Sequence, residues 1–152
     1  MSNSKNKLAN KFGSEFQIKS ITCICTDAEF FGQIIDILDP QFFTGESKQW
    51  IVEKAIDFYR EYKDEPTLNY FHEETKNIGS DSLRASVENN LRKVWSKRSE
   101  TDLDYVKKHF LEFCKQQKVK NTIEESVDLL QVGDYDTIKS KMDEALSAGL
   151  KK

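Results

Sequence analysis

Apolar positions along this chain recur at helical intervals almost from end to end. The clearest series is Leu103, Val106, Phe110, Phe113, then Ile123, Val127 and Leu130. Steps of three and four keep these residues on one face of a helix. KQQKVKN, Lys115 to Asn121, thins the stripe, with Val119 its one apolar residue. Asp102 suits the N-cap, and Asp104 places a negative charge in the first turn. Gly133 stops the helix, and Asp134 or Asp136 caps a second one carrying Ile138, Met142, Ala145 and Leu146, which ends at Gly149. The pattern predicts an αα-hairpin with an apolar stripe on each arm.

The preceding residues read as shorter helices. EFQIKSITCIC, Glu15 to Cys25, is crowded with apolar groups and suits either a short buried helix or a strand; with no partner strand later in the chain, helix is expected. Asp27 to Leu38 follows, capped by Thr26 or Asp27 and ended by Asp39-Pro40. Phe30, Phe31, Ile34, Ile35 and Leu38 give it a wide apolar face. Phe42 and Phe43 fall in a loop, where they would plug a core from outside. Glu46 to Tyr62, with Thr44 as the expected cap, places Trp50, Ile51, Ala55, Phe58, Tyr59 and Tyr62 on one side. Thr67 caps a short helix with Leu68 and Phe71, which Gly79 closes off. Ser80 or Asp81 opens another to about Arg98, striped by Leu83, Val87, Leu91, Val94 and Trp95. The expected core is Phe30, Ile34, Ile35, Leu38, Trp50, Ile51, Phe58, Leu83, Val87 and Leu91.

These elements predict an all-α fold: a flexible lead over residues 1–14, a compact helical head over 15–98, and an antiparallel helical hairpin over 99–152. Composition agrees. Pro and Gly number only two and six, and the chain of 152 residues is 38% apolar and 32% charged, enough for a lean core. A net charge of −3 gives no general attraction to nucleic acid. Cys23, Cys25 and Cys114 are an odd set that reads as reduced thiols in a cytoplasmic setting. Neither a membrane-spanning run nor a signal segment is present in the sequence, so no membrane partner is expected.

No constellation for chemistry emerges. The glycines are isolated and form no GxxxxGK[ST] loop, so the chain itself is not expected to hydrolyse nucleotides. His72 and His109 lack the spaced partners that a metal needs, and Cys114, near Lys115 and Lys118, has no base in evident reach. Catalytic residues, metal and cofactor are all expected to be none. Lys115, Lys118 and Lys120 read first as a solvated helix face, and second as a candidate basic docking patch for an acidic partner or for phosphates. The long stripes leave apolar surface that another copy or a partner would cover.

The order FQIKSITCIC, EFFGQIIDILDPQFF, SKQWIVEKAIDFYREY and DEPTL, followed by LDYVKKHFLEFCKQQKVKNTIEESVDLLQVGDYDTIKSKMDEALSAG, resembles the N-terminal domain of DnaB-type replicative DNA helicases, particularly the phage branch. Phe42-Phe43, Trp50-Ile51 and Pro66-Thr67 are the best local matches. The resemblance rests on order and spacing over Glu15 to Gly149, without a catalytic signature. It implies a non-catalytic collar domain that assembles a ring and docks primase or a helicase loader, in the cytoplasm of a bacterial host. The linker and ATPase domain would follow Leu150-Lys151-Lys152, and DNA would be engaged only through the full-length helicase. Its hairpins pack against those of neighbouring copies. The expected contact residues are therefore Val106, Phe110, Phe113, Ile123, Val127, Leu130, Ile138 and Met142. Two rival readings remain: a small phage adaptor or regulator that binds a host protein through the hairpin, and a helical nucleic-acid-binding protein using the lysines.

Overall fold

The computed structural model describes residues 12–147, and among these every regular element is helical. α1 (Ser14–Thr26) is the helix around which the first part of the chain is built. Apolar residues spread over most of its circumference require cover on more than one side, and Phe16, Ile18, Ile21, Cys23, Ile24 and Cys25 are all buried, while Glu15 and Lys19 lie on the remaining polar strip. α2 (Ala28–Ile34), α3 (Glu46–Tyr62) and α5 (Asp81–Ser96) pack against it. α4 (Leu68–Thr75) lies on α5, and a 3-10 turn, Pro40–Phe42, lies on α3.

The buried polar groups of α1 are satisfied locally. Ser20 Oγ donates to the Phe16 carbonyl at 2.9 Å and Thr22 Oγ1 to those of Ile18 at 3.0 Å and Val94 at 2.7 Å. Such back-bonding removes the cost of an unpaired buried hydroxyl, and the Thr22 bond also ties α1 to the end of α5. Gln17 is held from both ends of its amide. Its Oε1 accepts from the Thr44 backbone at 2.8 Å and its Nε2 donates to the Phe12 carbonyl at 3.0 Å. Phe12 is buried and Ser14 already belongs to α1, so the expected lead over 1–14 is too long at its C-terminal end. Its remainder, like Gly149 and the last lysines, lies outside the described residues.

Several caps form where the residue types demand them. Asp27 accepts from Phe30 N, Thr67 from Tyr70 N and Ser80 from Leu83 N, each filling an orphan donor of a first turn. Thr44 does not cap α3; that position belongs to Gly45, whose φ of 95° is the left-handed region that glycine tolerates. Asp102 spends its carboxylate on Lys19 Nζ, at 2.8 Å, at the start of the next helix.

The division between two compact units falls between Lys108 and His109, inside α6 (Leu103–Gln131), rather than at the expected joint after residue 98. The first turns of α6 are fastened to α1 and the residue after it: Lys107 Nζ reaches Asp27 Oδ2 at 2.6 Å, Lys19 meets Asp102, and Cys23 Sγ lies 3.8 Å from the Leu103 carbonyl. Lys97 adds a bond to Glu15 at 2.9 Å.

Six of the ten expected core residues are buried: Phe30, Ile34, Leu38, Ile51, Val87 and Leu91. Ile35, Trp50, Phe58 and Leu83 are only half-buried. α3 is turned relative to the expected face, burying Ile51, Val52, Ala55 and Ile56 while Tyr62 stays exposed. The reason is that α3 is covered by both α1 and α5, so its buried arc follows those two neighbours rather than its largest side chains.

Candidate interaction surface

The second unit is made by the remainder of α6 and by α7 (Tyr135–Leu146). Gly133, at φ 74°, turns the chain. Its N–H donates to the Leu130 carbonyl at 3.1 Å, and that of Asp134 donates to Leu129 at 2.9 Å. These two bonds form a Schellman closure, with glycine at the one position that needs the left-handed conformation. Asp134 then caps α7, accepting from Thr137 N at 3.2 Å and Thr137 Oγ1 at 2.8 Å. Lys118 lies 4.0 Å from Glu144 and Lys141 lies 3.9 Å from Glu125. The earlier of these two α6 residues meets the later of the two on α7, the order of an antiparallel pair.

Burial along α6 in this unit begins on the expected stripe, at Phe110 and Phe113 with Cys114 beside them, and then moves to Thr122, with Ser126 and Leu129 half-buried; on α7 it falls on Ala145, with Ile138 and Met142 half-buried. Both rows have steps of three or four residues, and their small side chains at Thr122 and Ala145 allow close approach. The neighbouring row, Ile123, Val127 and Leu130, is turned outward at 55%, 55% and 60% exposure. Val132 and Tyr135 continue the exposed apolar surface past the turn.

The eight expected contact residues therefore separate into three groups. Ile123, Val127 and Leu130 stand free to meet a partner. Ile138 and Met142 are half-buried. Val106, Phe110 and Phe113 are buried within the chain, with the Phe110 and Phe113 rings 5.8 Å apart. A fully buried side chain reaches a partner only if its own surroundings open, so these three leave the candidate surface and join the core. Periodicity placed all of them on one helical stripe, but the covering of that stripe changes along α6.

The lysines do not form one uniform patch. Lys118 is engaged with Glu144, Lys115 is half-buried, and Lys120 is exposed. Cys23, Cys25 and Cys114 are all buried. Burial pushes the Cys23 thiol up to about 11 and raises that of Cys25, which suppresses the thiolate that a nucleophile needs. Among the described residues no group of three His, Cys, Asp or Glu side chains could hold a metal ion, and no helix is long and apolar enough to cross a membrane. A polar cleft of about 400 Å³ between the starts of α3 and α5 gathers hydroxyls with Lys48, Glu46 and Asn90, without a histidine or thiol.

Comparison with protein-family models, with curated proteins and with solved structures finds no match to this chain.

Proposed function

We propose that this chain is a non-catalytic assembly and docking module, acting as the N-terminal collar of a DnaB-type replicative helicase. In this reading it associates with further copies of itself and presents surfaces to primase or a helicase loader, while motor activity belongs to another domain. The supporting observation is the exposed Ile123–Val127–Leu130 row on α6. An apolar row of this length gains from cover.

The magnitudes describe a modest contact. Complete burial of such a side chain contributes about 1.5–3 kcal/mol, so covering the exposed half contributes roughly 1 kcal/mol. Three per chain across a two-fold interface would give about 6 kcal/mol, close to the lower range of what association costs. Self-association should therefore be weak through this row alone and should strengthen when neighbouring domains hold the copies together.

Sedimentation across a concentration series tests the proposal. The wild-type mass should rise with concentration, and Val127→Asp with Leu130→Asp should hold the chain at monomer mass with unchanged helicity. Phe110→Ala should behave differently, lowering stability by ~3–5 kcal/mol as a buried truncation does. A wild type that stays monomeric into the millimolar range would remove the self-assembly reading. Salt-sensitive DNA binding lost on Lys120→Ala would favour the nucleic-acid alternative instead.

A further inference from the structure

Along α3, Trp50, Lys54, Phe58 and Tyr62 recur every four residues and form one row. The fold only partly covers it. Trp50 and Phe58 are half-buried and Tyr62 is 58% exposed. The rings are nevertheless held in place. Phe58 sits 4.6 Å from Tyr62 and 4.8 Å from Tyr70, and the Tyr70 hydroxyl donates to the Lys54 carbonyl at 3.1 Å. Trp50 lies 6.5 Å from the buried Phe71, with Lys54 Nζ 5.8 Å over its ring.

The charge beside these rings is negative. From Glu53 to Glu65 five carboxylates, Glu53, Asp57, Glu61, Asp64 and Glu65, stand against Lys54, Arg60 and Lys63. Lys54 is already paired with Glu74 at 3.4 Å. Arg60 lines a shallow cleft with Glu53, Asp57 and Asp39. Burial, then the charges of Glu74, Asp57 and Glu61, push the Tyr70 phenol up to about 12, so these carboxylates bear on the ring cluster itself.

We propose that this aromatic and acidic face of α3 and α4 docks a cationic amphipathic helix of a partner protein, with arginines meeting Asp57 and Glu61 and stacking on Tyr62. Three physical features favour that occupant. Preformed aromatic rings concentrate binding energy at little entropic cost. Arginine offers a planar cation that both stacks on a ring and pairs with carboxylates. The row from Trp50 to Tyr62 runs about 18 Å, the length of roughly three helical turns. The same carboxylates oppose nucleic-acid phosphates. The proposal is independent of self-association through α6.

The experiment titrates the isotope-labelled chain with a synthetic leucine-striped helix of about 18 residues flanked by arginines, and with its counterpart carrying glutamate in place of arginine. The arginine peptide should saturate at a Kd on the order of 10–100 µM and shift the amide signals of Trp50, Phe58, Tyr62 and Tyr70. Tyr62→Ala should weaken it about ten-fold, and Asp57→Asn with Glu61→Gln should do so independently. Tyr62 is largely exposed, so the fold should survive its loss, as circular dichroism would verify. Equal binding of the glutamate peptide, shifts confined to other residues, or unaltered affinity in both variants would overturn the proposal. So would single-stranded DNA shifting the same amides, or a self-association that Tyr62→Ala abolishes, which would assign the face to another occupant.

Discussion

Replacing Gly32 by alanine would set a methyl group 2.6 Å from the Tyr59 hydroxyl oxygen and 3.6 Å from the ring carbon that bears it. The first distance is well inside van der Waals contact and the second is ordinary. The Tyr59 ring packs 4.7 Å from that of Phe31, which is fully buried, so a shift of Tyr59 away from the new methyl disturbs that contact. Overpacking of this kind costs about 1–3 kcal/mol. Against it, alanine within a helix is better than glycine by roughly 0.5–1 kcal/mol. Gly32→Ala should therefore destabilise the first unit by up to about 2 kcal/mol. In a Tyr59→Phe background the offending oxygen is gone, and the same substitution should become neutral or stabilising by up to about 1 kcal/mol. The coupling between the two sites should be ~1–3 kcal/mol. Both tryptophans, Trp50 and Trp95, lie in this unit, so urea unfolding followed by tryptophan fluorescence reads it directly. Equal effects of Gly32→Ala in the two backgrounds, within about 0.5 kcal/mol, would show that the hydroxyl does not limit the space.

Two further outcomes follow from local geometry. Lys63 ends α3 in the left-handed region at φ 57°, so Lys63→Gly should raise the urea midpoint, by about 1 kcal/mol in stability, as the side-chain penalty disappears. The bond from Lys107 Nζ, and then that from Phe30 N, hold Asp27 below the usual carboxylate range. Its contribution to stability is present above the unfolded value near ~3.9 and is lost as pH falls through the lower folded value. Asp27→Asn, which retains a capping oxygen, should therefore flatten the acid limb of the stability profile below about pH 4. An unchanged acid limb would show that the pair contributes little in water.

What the sequence determined by itself was local. Apolar recurrence at three and four residues, with Pro and Gly scarce, specified helices throughout the described residues. Thr67, and the pairs Thr26 or Asp27, Ser80 or Asp81 and Asp134 or Asp136, marked helix starts because a capping side chain satisfies donors only a few residues away, and the structure chose Asp27, Ser80 and Asp134 within the pairs. Gly133 marked the turn because its left-handed conformation is a property of one residue. The choice among adjacent rows belonged to tertiary structure. α1 keeps only a narrow polar strip, Glu15, Lys19 and Thr26, because helices from further along the chain cover the rest of it. On α3, Ile51–Val52–Ala55–Ile56 won over the larger aromatic row because two helices flank it, leaving Phe58 and Tyr62 at the surface. On α6, Thr122–Ser126–Leu129 and Ile123–Val127–Leu130 are one residue apart and equally periodic. A helix turns about 100° per residue, so that single step separates a half-buried seam from an exposed row. Periodicity fixes the angular spacing of a stripe, whereas the neighbour that covers it is set by contacts between residues distant in the chain.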